Sequence, residues 1–511
     1  MAPLTASPPT LPFHGWGRRV DRVRLYWERG HARLLVKILL LNPSIRAAQF
    51  GRFAALLEPM PCIGIAYVAT FLARAGHDVR VYDDFAVRGG HAGVLAALER
   101  FRPDAFGVSV LTPVATDCKQ LLRQVRTRCS GLRVFAGNIH ADLFPDEFLA
   151  DGMVDAIIHG EAEQTTVDLV AAWERGESGA GVPGVTVAGS PGKARALETD
   201  LDAYPFPDWG LLPYTRYGLL PLGTIQKPIV AVAASRGCPF HCTYCALENQ
   251  GKIYRKRSIS NVCDEIEWDV HQFGVKQIGF MDPIFPMGRK HAIEFSQEMI
   301  RRGLHEKVVW LSELRTDVVD REALEWLQKS GCRRLVFGIE SGVDSLLKTV
   351  HKQNNVDRSR ETIRHCREVG ITTVGLFMIG MPGETPSQTQ ETIEYACSLD
   401  LDFAKFAITV PFPGSELYVQ MVRDGRLNRT DWENYTTFNP DLERIVVASE
   451  VQSPAQLLES LREATYRFYM RPRMIARQLF KIRSVDARQM ASGLWSVMPD
   501  LSRFRGAAGI G

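Results

Sequence analysis

The chain has 511 residues, 45% hydrophobic and 23% charged, which is enough for roughly two to four globular domains and excludes a disordered or fibrous protein. Its 61 basic and 58 acidic residues give a net charge of +3, which argues against nucleic acid as the main partner. No apolar run is long enough for a membrane span, and the first residues lack the apolar core of a secretory signal. Ten cysteines in such a chain indicate thiols or metal ligands in a reducing cytoplasm.

The first half of the chain predicts a parallel sheet. Residues 1–34 are interpreted as an N-terminal extension, and residues 35–195 alternate five apolar strands with helices. That alternation is typical of a doubly wound, Rossmann-like α/β domain, whose ligands bind at the carboxyl ends of the strands. The residues at those ends are Ser109, Leu111, Gly137, Asn138, His140, Gly160 and Glu161.

A second alternation follows a Gly- and Pro-rich linker, residues 196–228. Six strand and helix pairs over residues 229–425 predict a partial (β/α)6 barrel, with its site at the carboxyl ends of the strands. Several of the helices should end at a glycine in the left-handed conformation, namely Gly274, Gly303, Gly331 and Gly370. Residues 426–511 predict a small helical C-terminal region, whose apolar periodicity favours core packing over peripheral contact with a membrane surface.

The stretch "SRGCPFHCTYCALENQ" places Cys238, Cys242 and Cys245 directly after the first barrel strand. This spacing arises by chance in under roughly 1% of such chains. A structural zinc site needs four closing ligands, and a redox CxxC pair would leave Cys238 unexplained. Three thiolates on a [4Fe–4S] cluster leave one iron open, which a catalytic site can use to bind a substrate or cofactor.

CxxxCxxC after the first strand of a β/α barrel resembles the radical S-adenosylmethionine enzymes. The resemblance implies that the three cysteines bind a [4Fe–4S] cluster whose fourth iron is chelated by S-adenosylmethionine, and that Tyr244 lies near the adenine. "GFMDPIF", "WLSELRTD", "RLVFGIESG" and "GLFMIGMPGET" are similar to strand ends that contact this cofactor, which implies contacts from Asp282, Glu313, Arg315, Glu340, Ser341, Gly380 and Gly383. Two alternatives stay open: a Glu313–Arg315 salt bridge, and a helix-capping role for the Glu340–Ser341 pair.

The N-terminal domain resembles the cobalamin-binding domain that often precedes such a barrel. The matching segments are "SVL" at 109–111, "AG" at 136–137, "NIHADLFPDE" and "IIHGEAEQT". A dinucleotide site is disfavoured because no GxGxxG follows the first strand. The DxHxxG motif that supplies a cobalt-ligating histidine is absent, so His140 is expected near the nucleotide tail and not on the cobalt.

The layout over residues 36–425 resembles the group that contains the anaerobic magnesium-protoporphyrin ester cyclase and cobalamin-dependent radical methyltransferases. The leading hypothesis is therefore methylation of an unactivated carbon of a small-molecule substrate by way of a 5′-deoxyadenosyl radical. The resemblance implies cobalamin as methyl carrier and a reductant such as flavodoxin or ferredoxin. The alternatives are a radical cyclase or rearrangement enzyme without methyl transfer, and a non-catalytic sensor. A methylthio-transferring enzyme would need a second cysteine trio, and the N-terminal domain has none.

Overall fold

The computed structural model describes residues 35–44, 58–218, 224–247, 253–427, 431–437, 446 and 448–475. The predicted N-terminal extension and the end of the predicted helical region, residues 476–511, lie outside these ranges. From Val36 onward the described residues belong to one compact unit.

The first sheet has the order β2-β1-β3-β4-β5-β6. Its first five strands are parallel, and β6 adds to the edge in antiparallel orientation. The strands are β1 Lys37–Asn42, β2 Asp78–Asp83, β3 Ala105–Ser109, β4 Arg133–Gly137, β5 Ala156–Ile158 and β6 Val185–Thr186. The helices are α1 Ile63–Arg74, α2 Asp84–Val87, α3 Gly90–Phe101, α4 Ala115–Arg128, α5 Ile139–Leu143, α6 Asp146–Leu149 and α7 Ala162–Glu174. The doubly wound sheet predicted from the apolar runs is confirmed.

The second sheet has six strands, all parallel to their neighbours, in the order β14-β13-β12-β11-β10-β7. A two-stranded antiparallel ribbon, β8 with β9, stands on either side of the cysteine stretch. The strands are β7 Ile229–Val232, β8 Ser235–Arg236, β9 Arg255–Lys256, β10 Gln277–Phe280, β11 Val309–Leu314, β12 Cys332–Glu340, β13 Thr372–Ile379 and β14 Phe403–Ile408. The helices are α8 Ile259–Phe273, α9 Arg289–Arg301, α10 Arg321–Lys329, α11 Asp344–Thr349, α12 Val356–Val369 and α13 Pro386–Ser398. The predicted partial (β/α)6 barrel is confirmed.

Local chemistry explains where the barrel helices begin and end. The side chain of Ser258 accepts a hydrogen bond from the Asn261 amide and begins α8, which ends at Gly274 with φ of 64°. Thr385 and Gln388 form a capping box at the start of α13. These devices satisfy backbone groups that a helix end leaves unpaired, so they fix the loops that carry the site.

The C-terminal residues pack on both sheets. Helices α14 Glu416–Arg423 and α15 Pro454–Tyr469 are joined by a segment that includes a 3₁₀ turn, Trp432–Asn434. In α15, Leu457 and Phe468 are fully buried, and the Tyr469 hydroxyl donates to the carbonyl of Ala404 in β14 at 2.8 Å. Within the described ranges, no helix has both the length and the apolar character that crossing a bilayer requires.

Candidate active site

The three cysteines lie on the loop that follows β8. All three thiols are free and partly buried, and the Cys245 amide donates to the Cys242 carbonyl at 3.0 Å. Burial raises the pKa values of Cys238 and Cys245, and their proximity to Cys242 raises them further. Among the described residues, no three His, Cys, Asp or Glu side chains are close enough to hold a single metal ion. The three thiols lie within eight residues of one another on a single loop.

Arg315 packs against this loop through the ring of Phe240. Its guanidinium lies 3.8 Å from the ring centroid of Phe240, which stands between the first two cysteines. Its Nε and Nη2 donate to the two carboxylate oxygens of Asp317 at 2.9 and 2.7 Å. Arg315 therefore pairs with Asp317 and not with Glu313. Its Nη1 is buried without a hydrogen-bond partner in the described part of the chain, which leaves one donor for a bound anion.

Glu340, at the end of β12, lies in a buried polar group that also contains Tyr244. The Tyr244 hydroxyl donates to Glu340 Oε1 at 3.0 Å, and Lys352 Nζ donates to the same oxygen at 2.8 Å. The register of β12 against β13 shifts between Gly338 and Glu340, and the Glu340 carboxylate contacts Tyr244 of the cysteine loop. A Cβ at Gly338 would lie 2.5 Å from Glu340 Oε1. The structure thus brings two predicted cofactor residues together, and it adds Lys352, which the sequence interpretation missed.

Ser341 is engaged within the protein. Its hydroxyl lies 2.9 Å from Thr392 Oγ1 and accepts from the Val343 amide at 3.1 Å, and the residue is 1% exposed. The bond from Val343 closes a turn ahead of α11, but α11 begins after Val343 without a side-chain capping bond, so the capping alternative is wrong for Ser341. A contact of Ser341 with a cofactor stays a prediction.

Gly380 and Gly383 lie in the loop after β13, both with positive φ. The Gly380 amide donates to Glu384 Oε2 at 2.6 Å, and a Cβ on Gly380 would lie 2.8 Å from Leu457 Cδ2. The missing side chain of Gly380 leaves room for α15, and close approach of its backbone to adenine stays a prediction. Gly383 is exposed, and its amide donates to Glu450 Oε2 at 3.1 Å.

Asp282, at the end of β10, fixes the chain just before the cysteines. Its carboxylate accepts from the Ala234 amide at 3.0 Å and from the Ser235 hydroxyl at 2.5 Å. Burial raises its pKa to about 7. Both oxygens are thus committed to the base of the loop.

Glu313 and Lys405 share one face of the barrel sheet. Glu313 is accessible to solvent although protein surrounds it, which places its side chain in the open interior of the barrel. Burial raises the pKa of Glu313 and lowers that of Lys405 to about 8. The Lys405 ammonium donates to Thr437 Oγ1 at 3.1 Å. Lys405 was not singled out from the sequence, although a single cation in the apolar strand "FAKFAITV" is a usable signal.

The first sheet presents an open edge at its carboxyl ends. Ser109 and Gly137 are register partners in β3 and β4, and Asn138 Nδ2 donates to Ser109 Oγ at 2.9 Å. Leu111 is 42% exposed, and nothing lies within 4 Å of a Cβ built on the exposed Gly160. An edge of small, accessible residues with free space fits the nucleotide tail of a cobalamin.

Two predicted residues of this sheet lie elsewhere. His140 is 0% exposed, its ring packs 4.9 Å from those of Phe144 and Trp432, and its Nε2 lies 3.6 Å from Glu147 Oε2. Glu161 is turned toward the barrel, where Arg255 and Arg236 bind its carboxylate. Although burial opposes it, these guanidinium groups lower the pKa of Glu161. Neither side chain reaches the open edge of the first sheet: aromatic rings enclose His140, and ion pairs with arginines hold Glu161.

Comparison with known proteins agrees with this geometry. The B12 binding domain family matches residues 53–170, and the Radical SAM superfamily matches residues 232–396. The chain therefore belongs to the radical S-adenosylmethionine enzymes. More particularly, it belongs to the cobalamin-dependent ones, which use a [4Fe–4S] cluster, S-adenosylmethionine and cobalamin, as the sequence resemblance implied.

Its relatives extend over most of the chain. An uncharacterized methyltransferase of Pyrococcus horikoshii is 28% identical over 470 residues, covering 91% of this chain and 99% of the relative. The anaerobic magnesium-protoporphyrin IX monomethyl ester cyclase of Cereibacter sphaeroides is 29% identical over 453 residues, covering 85% and 71%. The structure of the methyltransferase TsrM from Kitasatospora setae, with cobalamin and a [4Fe–4S] cluster bound, has a similar fold, with a TM-score of 0.65, 18% identity and coverage of 86% and 90%.

Proposed function

We propose that the protein transfers a methyl group from S-adenosylmethionine, by way of cobalamin, to an unactivated carbon of a small-molecule substrate. One observation carries this proposal: a single compact unit contains both a loop with three thiols on a β/α barrel and a sheet with an open edge that matches the B12 binding family. The similarity to a methyltransferase over 91% of the chain supports the same reaction. When bound, the cofactors supply a hydrogen-abstracting radical and a transferable methyl group, which no side chain provides.

The side chains of the barrel would bind and orient the cofactors. Cys238, Cys242 and Cys245 would hold three irons of the cluster as thiolates, and the unpaired Nη1 of Arg315 would receive a carboxylate oxygen of S-adenosylmethionine. Tyr244 would lie against the same cofactor, oriented by its hydrogen bond to Glu340. Glu313, with Asp282 behind the loop, would complete the barrel side of the site.

The first sheet would hold cobalamin through backbone groups and small side chains. Ser109, Gly137, Asn138 and Gly160 line its open edge, and Leu111 adds an exposed apolar contact. Because aromatic rings enclose His140, we do not assign it as a ligand of the cobalt.

The cluster needs an electron donor, and we assign that role to a small reductant such as flavodoxin or ferredoxin. All ten cysteines are free, which fits work in the reducing cytoplasm.

A radical cyclase without methyl transfer is the second candidate, favoured by the 29% identity to the ester cyclase. The two reactions differ in their by-products. Methyl transfer converts S-adenosylmethionine to S-adenosylhomocysteine as well as to 5′-deoxyadenosine, whereas cyclisation forms no S-adenosylhomocysteine.

Cluster binding is tested by anaerobic reconstitution. The protein should bind about four irons, and Cys242→Ala should lose them because only two of the four irons would keep a protein ligand. Cys397→Ala, which removes another partly exposed free thiol outside the loop, is the matched control and should keep the iron. A chromogenic assay measures the number of irons bound per chain. Unchanged iron content in Cys242→Ala, or tightly bound zinc in the parent protein, would contradict the proposal.

A further inference from the structure

Arg236 joins the base of the cysteine loop to the first sheet. It lies in β8, two residues before Cys238. Its Nη2 lies 2.6 Å from Glu163 Oε1, and its Nη1 lies 3.2 Å from Glu161 Oε1. Both glutamates follow β5, within the segment that matches the B12 binding family. The charges are largely enclosed, with 17% of the Arg236 side chain and 6% of the Glu163 side chain exposed.

Aromatic rings fix the same guanidinium. It lies 5.2 Å from the ring centroid of Tyr67 in α1 and 4.8 Å from that of Tyr204 in the linker. Although burial opposes the charge, Glu163 and Glu161 raise the pKa of Arg236 above its usual value. Arg236 is therefore a fixed cation with little freedom to rotate.

Arg255 attaches the other end of the loop to the same carboxylate. Its Nη2 and Nη1 donate to the two oxygens of Glu161 at 2.5 and 3.2 Å, and Nη1 also donates to the Glu198 carbonyl at 2.5 Å. Arg236 and Arg255 are register partners in the β8–β9 ribbon. The chain between them contains all three cysteines, so both ends of the cysteine segment are bonded to Glu161.

A buried ion cluster of this kind adds little stability compared with apolar packing, but it specifies position. Glu161 also directly follows Gly160, an exposed residue of the open edge of the first sheet. A shift of the backbone at Gly160 would move the carboxylate that holds Arg236 and Arg255. The ion cluster thus connects the edge of the first sheet to the cysteine loop through one continuous set of bonds.

We propose that Glu161, Glu163, Arg236 and Arg255 form a glutamate–arginine cluster that positions the cysteine loop according to the state of the first sheet. Arg236 and Glu163 are positioning residues, which act on the iron–sulfur site only through the cysteine loop. Occupancy of the open edge then orders the cysteine loop, so that the loop is fully formed when the methyl carrier is in place. Only this last coupling rests on the proposed function; the positioning of the loop does not.

Hydrogen–deuterium exchange of residues 235–247 tests the positioning in the protein without cofactors. Exchange should be at least about fivefold faster in Arg236→Gln and in the milder Glu163→Gln, and intermediate in Arg236→Lys, which keeps the charge but loses the fork. Arg302→Gln is the matched control: its side chain is 12% exposed and pairs with Asp264 and Glu298 on the outer barrel helices, so the loop should exchange as in the parent. Unchanged loop exchange in folded Glu163→Gln and Arg236→Gln would overturn the proposal.

The coupling is tested by adding hydroxocobalamin. It should slow exchange of residues 235–247 several-fold in the parent protein, and this protection should disappear in the double variant Arg236→Gln with Arg255→Gln, which removes both arginine partners of Glu161, although the variant still binds hydroxocobalamin. Protection that persists in the double variant would overturn the coupling. If the parent protein bound no hydroxocobalamin, the proposed function would fail, and exchange in the cofactor-free variants would still decide whether the cluster positions the loop.

Discussion

Glu340 has φ of 68°, a backbone conformation that residues with side chains adopt only where their surroundings hold them. Its surroundings here are the Lys352 ammonium and the Tyr244 hydroxyl, both bonded to Oε1. Only 10% of the Glu340 side chain and 7% of the Lys352 side chain are exposed. At the scale of single residues, the site therefore depends on a buried ion pair that keeps one aromatic ring in place.

Lys352→Met should destabilise the protein strongly. It leaves the Glu340 carboxylate buried without its cation, which costs about 3 kcal/mol of the free energy of unfolding measured in urea. The double variant Lys352→Met with Glu340→Met should recover most of that loss. Arg175→Gln, which breaks an exposed pair with Glu177, is the control and should change stability by less than about 0.5 kcal/mol. If Lys352→Met lowered the free energy of unfolding by no more than the control does, the Lys352–Glu340 ion pair would not have the role described here.

Glu147 gives the protein a pH-dependent contact. Burial would raise its pKa, but the neighbouring His140 and Lys119 lower it to about 2. Because the folded-state pKa lies below the unfolded value of 4.5, its stabilisation is present above pH 4.5 and is lost as the pH falls toward 2. Glu147→Gln should lower the free energy of unfolding by roughly 1–2 kcal/mol at pH 7, a figure already reduced for the partial exposure of Glu147. The difference between parent and variant should be smaller at pH 3.5, and urea unfolding at both pH values measures it. A difference that grows on acidification would contradict a lowered pKa for Glu147.

At the scale of elements, the loop after β13 is fixed from two sides. Glu384 accepts hydrogen bonds from the amides of Gly380 and Met381, and Gln452 donates to the Glu384 carbonyl at 3.1 Å. Leu457 of α15 occupies the space beside Gly380. The C-terminal helix thus determines the shape of a loop that the family resemblance associates with the cofactor.

Gly380→Ala and Gly383→Ala make a matched pair, because both residues have positive φ but only Gly380 has a close neighbour. Backbone strain alone should cost about 1 kcal/mol in Gly383→Ala. Gly380→Ala should cost about 1–2 kcal/mol more because its Cβ meets Leu457. Thermal or urea unfolding compares them directly. Equal losses would mean that α15 does not constrain this loop.

The elements themselves could be predicted because their signals are local. Apolar runs marked the strands, and Gly274, Gly303, Gly331 and Gly370 do have positive φ at or near the helix ends. The partners of charged side chains could not be predicted from the sequence, because they are distant along the chain. The sequence predicts Glu161 as a cobalamin contact at the carboxyl end of its strand, but its carboxylate is bound by Arg255, 94 residues later in the chain.

At the scale of the whole molecule, the C-terminal residues connect regions that are distant in sequence. Trp432 Nε1 donates to Glu147 Oε1 at 3.1 Å, and Thr116 donates to Glu433 Oε2 at 3.0 Å, so this segment packs on the helices of the first sheet. Helix α15 packs on β13 and β14. The segment and the glutamate–arginine cluster thus hold the two sheets together at separate places. Such double attachment is what two cofactors acting on one substrate require, because small displacements lower reaction rates steeply.

The proposed function requires one chain to use S-adenosylmethionine both as methyl donor and as radical source. Mass spectrometry can test this with the products formed by the reduced, reconstituted enzyme, supplied with cobalamin and with S-adenosylmethionine that carries a deuterated methyl group. We expect 5′-deoxyadenosine and S-adenosylhomocysteine together, with the deuterated methyl group recovered on cobalamin. Formation of 5′-deoxyadenosine without any S-adenosylhomocysteine or labelled cobalamin would contradict it.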